Sequence, residues 1–243
     1  KNIDGKDYRA IMDCLIDAKV GKLSIQAMDI QHSFAIKLDY NIAEILEEGP
    51  LAVGDIEKFE QFLSRFNPDD TVTVSTEGNK ILIEREAPKK SARLPLADIS
   101  SINSKDAPPI TNLEFSKYGY PKSSKMYYNL SMIINADAIK SIFEDGNLVK
   151  QRIIPWKISG GKLSVSIGSE ELGSFESEVA LAELQNDPEK PGLQTTATAF
   201  GNGLDNIFSN LSGKVKIYLA DEVEVCPLAV SQETDKYKFF ALL

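Results

Sequence analysis

Histidine is almost missing: His32 stands alone among 243 residues, beside two cysteines, Cys14 and Cys226, and one tryptophan, Trp156. A structural zinc site draws on about four Cys or His ligands, so this inventory leaves too little for one. Hydrolysis by a Ser-His-Asp or Cys-His arrangement would have to run through His32 alone. Two cysteines far apart in sequence exclude a disulfide scaffold and point to a reducing, intracellular compartment. No apolar run approaches the roughly 18 residues that span a bilayer, so no membrane is expected as a partner. The opening residues, Lys1-Asn2-Ile3-Asp4-Gly5, lack the apolar stretch of a secretory leader. Neither common glycine-rich phosphate loop occurs. Acidic side chains outnumber basic ones, 36 to 27, yet no carboxylate pair stands apart from ordinary surface decoration. The composition argues against common catalysis and signals no metal or cofactor, but it does not name a function.

What is present is ordinary in amount, 42% hydrophobic and 26% charged, and its arrangement carries the information. Four segments repeat one syntax, a short amphipathic helix followed by strands. In the first, Tyr8, Ile11, Met12, Leu15 and Ile16 recur at spacings of three and four, as on one helical face. Strands at Leu23–Ala27 and Ser33–Leu38 follow. In the second, Ile56, Phe59, Phe62, Leu63 and Phe66 form the stripe, Asn67-Pro68-Asp69-Asp70 stops it, and 71–76 with 81–84 make a β-hairpin. The third begins at Asn135 as N-cap, with Ala136, Ile139, Ile142 and Phe143 on one face. Its strands lie at 156–159, 162–167 and 173–181. The fourth has Phe200, Leu204, Ile207, Phe208 and Leu211 as the stripe and Gly213 as the stop. Strands follow at 215–219, 223–225 and 237–240.

These segments give an α+β chain of two similar domains, 1–100 and 126–243. The stretch 101–125 joins them, with the Ser, Lys, Asp and Pro of a linker. Its apolar residues, among them Phe115, Tyr118 and Tyr120, suit a segment lying against a surface.

Four motifs, in order along nearly the whole chain, carry a resemblance. Gln26-Ala27-Met28-Asp29-Ile30-Gln31-His32 resembles a "Ser-Met-Asp-x-x-His" segment. Gly54-Asp55-Ile56 through Ile81-Leu82-Ile83-Glu84 is similar to a helix and hairpin. Tyr118-Gly119-Tyr120-Pro121 resembles "Leu-Gly-Ile-Pro". Cys226-Pro227-Leu228-Ala229-Val230 with Tyr237-Lys238-Phe239-Phe240 is similar to a closing "Val-Pro-Leu-Val-Val…Leu-Lys-Tyr-Tyr". Together they resemble the sliding DNA clamps of the proliferating cell nuclear antigen family. The resemblance implies the DNA-clamp fold, with helices on the inner face and antiparallel sheets outside. Three subunits would close head-to-tail around duplex DNA, bound without sequence specificity. The ring would tether DNA polymerase and other replication and repair proteins, be opened by a clamp loader, and lie with the chromosome, in a nucleus or in archaeal cytoplasm.

The resemblance also implies three sets of residues. A partner groove for short client peptides takes Met28, His32, Tyr118, Tyr120, Pro227 and Leu243; ordinary core or turn duty is the other reading of Met28, His32 and Pro227. DNA-facing cations are Lys6, Arg9 and Lys19 near the first helix, Lys58 and Arg65 at the second, and Lys140, Lys150 and Arg152 at the third. Acidic neighbours offset them, and a solvated helix face explains them as well. Subunit closure uses the edge segments 91–97 and 173–181, with Ser91, Arg93, Pro95, Phe175, Ser177 and Val179. Pro95 suits an edge strand, since it donates no ladder hydrogen bond. Two rival readings stay open: a subunit of a heterotrimeric or checkpoint-type clamp, and a monomeric α+β enzyme or binding module.

Overall fold

The computed structural model describes residues 2–3, 6–7, 11–29, 34–41, 44–102, 113–122, 126–151, 153–169, 173–191, 196–201, 205–220 and 228–242. The elements run β1 (Asn2–Ile3), β2 (Lys6–Asp7), β3 (Cys14–Lys19), β4 (Lys22–Met28), β5 (Ala35–Tyr40), β6 (Gly49–Val53), α1 (Ile56–Leu63), β7 (Thr73–Glu77), β8 (Lys80–Arg85) and β9 (Lys90–Pro95). They continue with β10 (Glu114–Phe115), β11 (Pro121–Lys122), β12 (Leu130–Asn135), α2 (Ala136–Leu148), β13 (Ile153–Ser159), β14 (Lys162–Ser169), β15 (Gly173–Ala180), β16 (Glu183–Asn186), β17 (Thr196–Gly201), α3 (Asp205–Phe208), β18 (Lys214–Leu219), β19 (Leu228–Glu233) and β20 (Tyr237–Leu242). The chain divides into two compact units, residues 1–111 with 233–241, and 112–232 with 242–243.

In the first unit, β20, β5, β4, β3 and β6 lie side by side, and β7, β8 and β9 form a separate antiparallel sheet. Helix α1 starts because the Asp55 side chain accepts the Lys58 N–H at 2.9 Å, satisfying an otherwise orphaned donor. Its apolar stripe, Ile56, Phe59, Phe62 and Leu63, packs on a core that includes Cys14, Ile16, Ile81, Ile83 and Leu94. The period-3.6 stripe of the helix therefore meets the period-2 inner face of β8 and β9.

In the second unit, β16, β12, β18 and β19 lie side by side, and β15, β14, β13 and β17 form a four-stranded antiparallel sheet. Asn135 caps α2 by accepting the Asp137 N–H at 2.9 Å. Ile139, Ile142 and Phe143 are fully buried along this helix. Phe143 stacks on Phe208 and tilts against Trp156, with ring centroids 6.0 and 6.3 Å away. Gly168, at φ +114°, lets β14 and β15 begin their ladder, because a Cβ there would lie 2.0 Å from the Gly173 carbonyl oxygen.

Two expected helices are corrected. The stripe from Tyr8 to Ile16 is not one helix: its described part runs into β3, which pairs with β4 on one side and β6 on the other. Cys14 and Ile16 point into the core as alternate residues of a strand. Val20 and Gly21 form the turn into β4, so the segment 18–22 joins two strands. In the fourth segment, Phe200 belongs to β17, and helix is confined to Asp205–Phe208. Ile207, Phe208 and Leu211 are buried all the same. The third helix and the strands 156–159, 162–167 and 215–219 lie within observed elements, and the second helix is observed from Ile56 to Leu63, with Phe66 beyond its end. The expected strand at 223–225 and residues 8–10 fall outside the described residues.

Candidate functional site

Among the described residues, both strands expected to close a ring lie at sheet edges: β9 borders only β8, and β15 borders only β14. Their orientation follows from single hydrogen bonds. Leu96 N–H donates to Asn79 O at 2.9 Å, across the pair that continues the β8–β9 register. In an antiparallel ladder, alternate residues face the partner strand. Residues 90, 92 and 94 therefore bond to β8, while the backbone groups of Ser91, Arg93 and Pro95 face outward. Leu181 N–H likewise donates to Gly161 O at 3.0 Å. Here 173, 175, 177 and 179 bond to β14, and Ser174, Glu176, Glu178 and Ala180 face outward.

Side chains follow the same alternation. Ser91, Arg93 and Pro95 are exposed on one face of β9, and Leu94 is buried on the other. Along β15, Phe175, Ser177 and Val179 are half-buried, while Glu176 and Glu178 are exposed. The expected set on β15 thus carries the inward side chains, and Glu176 and Glu178, absent from that set, own the free backbone groups. Only sheet order could have revealed this. Pro95 places its ring nitrogen at the open edge, where it costs no bond to β8. Beside this edge a cavity of about 190 Å³ opens between α1 and β9, lined by Lys58, Phe59, Ile81, Leu94 and Leu96 among others.

The linker residues expected in the partner groove are separated by a turn. Gly119 N–H donates to Ser116 O and Ser116 N–H to Tyr120 O, both at 2.9 Å. The Ser116 hydroxyl accepts N–H bonds from Tyr118 and Tyr120 at 3.2 and 3.3 Å. Gly119 takes φ +81°, which turns successive side chains to opposite sides. Tyr118 is 48% exposed under the Lys117 ammonium, 4.9 Å from its ring centroid, and Phe115 nearby is 52% exposed. Tyr120 is buried. Its hydroxyl accepts from Ser131 Oγ at 3.2 Å, and its ring meets Tyr218 edge-on at 6.0 Å. Lys216 lies 5.4 and 5.1 Å from these two rings, and burial pulls its ammonium below the ordinary lysine range. Asp187 anchors the segment, accepting from the Tyr127 hydroxyl at 2.8 Å and the Glu189 N–H at 2.9 Å. Burial pushes its carboxyl up, but hydrogen bonds from Ser116, Glu189 and Tyr127 outweigh this and hold it below the usual carboxylate range. Met28 is buried in the first unit. His32, Pro227 and Leu243 lie outside the described residues.

Of the expected DNA-facing cations, Lys58 is exposed on α1 and Arg65 is exposed just past it. Lys140 is half-buried on α2, and Lys150 is exposed beyond it with φ 57°. Lys19 closes β3 and pairs with Asp17 at 2.9 Å. Lys6 sits on β2; Arg9 and Arg152 lie outside the described residues. On α1 and α2 these lysines share the helix surface with Glu57, Glu60, Asp137, Glu144 and Asp145, so neither helix presents a basic face. Among the described residues, no group of three or more His, Cys, Asp or Glu could hold a metal ion, and no helix is long and apolar enough to cross a membrane.

No family model matches the sequence, and no curated protein matches it. Solved structures do match. The chain superposes on PCNA from Thermococcus kodakaraensis with a TM-score of 0.69 at 15% identity, over 95% of this chain and 89% of that one. It superposes on the DNA polymerase III beta chain from Streptococcus pneumoniae with a TM-score of 0.70 at 16% identity, over 96% of this chain and 56% of that longer one. The A. fulgidus PCNA bound to the C-terminal region of FEN-1 gives a TM-score of 0.70 at 12% identity, over 96% and 88%. The fold is therefore the α+β fold of the sliding clamps, and within that class it matches structures of PCNA closely in length.

Proposed function

We propose that this chain is a sliding clamp of the PCNA type, three copies of which close head-to-tail around duplex DNA and act by enclosure rather than by catalysis. The observation that carries this reading is the matched pair of edges. Directly paired residues of an antiparallel ladder put their side chains on the same face. If β15 of one copy adds to β9 of the next, the exposed sides of both sheets merge. Their inner sides merge too, and α1 and α2 pack on those inner sides. A heterologous contact of this kind builds a ring when its rotation closes. Enclosure explains why catalytic chemistry is missing from the composition, and such a ring works on chromosomal DNA inside the cell. Light scattering should give about 80 kDa, three times the chain mass of 26.8 kDa. A 26.8 kDa species at every concentration would sink the self-sufficient ring.

The helix faces bear on how DNA is held. Non-specific binding draws on phosphate neutralisation, with a salt slope of about −0.9 per contact. With Lys58 and Lys140 set among five carboxylates, retention rests on closure more than on attraction. That balance also suits a ring in which this chain alternates with differently charged subunits. In that case the trimer would form only with those partners.

Client enzymes, DNA polymerase among them, would dock through short peptides, for which the family resemblance implies the Gln-x-x-aliphatic-x-x-aromatic-aromatic form; the C-terminal region of FEN-1 bound to A. fulgidus PCNA supports docking by a client segment. A clamp loader would open the ring by the same surface. Among the described residues of the linker segment, Tyr118 and Phe115 are the large exposed hydrophobic side chains, and Tyr118 is the candidate for this contact. Tyr118→Ala should weaken binding of such a peptide by about tenfold or more, as expected for an aromatic anchor. Fluorescence anisotropy with a labelled peptide reads this directly, and unchanged affinity would remove Tyr118 from the groove. Met28, His32, Tyr120, Pro227 and Leu243 are the other residues that the resemblance gives to this groove.

A further inference from the structure

We infer that one register joins the two edges, with Arg93 opposite Glu176 of a second copy and Leu94 opposite that copy's Phe175; this rests on the ring reading above. Antiparallel addition can join the edges only in registers that differ by two residues, because outward-facing groups must meet outward-facing groups. Two registers overlap the strands well: Arg93 opposite Glu176, or Arg93 opposite Glu178.

Two observations select the first, the partners of the two glutamates and the inner-face pairing, and the fork of Arg93 permits it. Glu178 already holds Lys162 at 2.6 Å, whereas among the described residues Glu176 has only the Ser166 hydroxyl, at 3.2 Å. Arg93 reaches Glu77 through Nε at 3.0 Å, which leaves its terminal N–H fork free to take a carboxylate across the edge. On the inner face, Leu94 forms a wall of the cavity beside β9. Its opposite residue in this register is Phe175, half-buried on its own sheet. The cavity, about 190 Å³, accommodates an aromatic ring, since an engineered cavity of about 150 Å³ binds benzene. The edge is thus closed on one face by an ion pair and on the other by a ring in a pocket walled by Phe59, Ile81, Leu94 and Leu96, with Asp55 and Lys58 also in its lining. The pocket's occupant is Phe175 of a second copy of this chain.

Cysteine cross-linking in a Cys226→Ser background tests the register. Cys14 does not interfere, because burial pushes its thiol up to about 12. In the inferred register Ser91 faces Glu178 as a bonded pair, at about the 5.5 Å Cα spacing a disulfide requires. Oxidised Ser91→Cys/Glu178→Cys should yield a covalently closed trimer. Ser91→Cys/Ala180→Cys, which reports the alternative register, should cross-link at least about tenfold less, its diagonal separation being about 7–8 Å. Arg93→Glu should weaken trimer formation about tenfold at low salt, and adding Glu176→Arg should restore it. The reverse cross-linking pattern, or no cross-link in a protein that light scattering shows to be trimeric, overturns the register and leaves the ring standing. A protein monomeric under all conditions overturns both.

Discussion

Ser91→Pro is expected to leave the chain folded and to abolish the trimer. The Ser91 N–H faces away from β8, so a proline there removes no bond within the subunit. Lys90 before it is already extended, the conformation that a residue preceding proline prefers. Stability of the monomer should therefore change by no more than about 1 kcal/mol. Closure is another matter. Pro95 already lacks a donor, and a second proline would leave Arg93 as the only N–H on that edge. Each missing bond forfeits about 0.5–1.5 kcal/mol and strands a carbonyl of the neighbour at about 1–3 kcal/mol more. A ring contains three such interfaces, so assembly weakens by about 5–14 kcal/mol. Light scattering across concentration, with circular dichroism on the same samples, checks both halves of the expectation. A trimer as tight as the parent's would mean that β9 is not the closing edge.

How much of this was legible in the sequence depends on where each signal is written. Helix α1 was readable from its apolar spacing and the stop after it, and α2 because cap and stripe agree: Asn135 accepts the Asp137 N–H, and the apolar spacing follows at once. The hairpin of β7 and β8 was readable from alternation. The segment ending at Ile16 misled, because β3 is paired on both sides and partly covered on both faces, with Leu15 half-buried beside Cys14 and Ile16. Such a strand reads as a continuous apolar run, and spacing alone does not separate it from a helix. The stripe from Phe200 to Leu211 misled for a different reason: it spans two elements, β17, which ends at Gly201, and α3, which starts at Asp205.

The candidate site was legible only in outline. Pro95 marked an edge correctly, since proline restricts its own strand. Glu176 and Glu178 could not be singled out, because the side of a strand left open is decided by pairings made far away in sequence, here with β14. Tyr118 and Tyr120 look equivalent as residues two apart, yet the turn at Gly119 sends one outward and the other under Tyr218. Local chemistry sets each turn, and long-range pairing decides which residues a partner meets.

Phe143→Ala is expected to be the most damaging single change to the fold. Phe143 is completely buried on α2, stacked on Phe208 with planes 20° apart and packed against Trp156. Truncation removes the ring that α2, α3 and β13 share, and the cavity left behind costs about 3–5 kcal/mol. Against a total stability of about 5–15 kcal/mol, this is a large fraction. For a chain of this size, each kcal/mol lowers Tm by about 2–4 °C, so a fall of about 6–20 °C is expected in thermal circular dichroism. Phe143→Leu, which keeps most of the volume, should lose much less. Because α2 also packs on β14 and β15, loosening it frees the very strand that the ring would use. Phe143→Ala should then lose trimer and fold together on warming, whereas Ser91→Pro loses the trimer with the monomer's own Tm intact. A shift below about 2 °C would mean that the ring stack around Phe143 does not hold the second unit together.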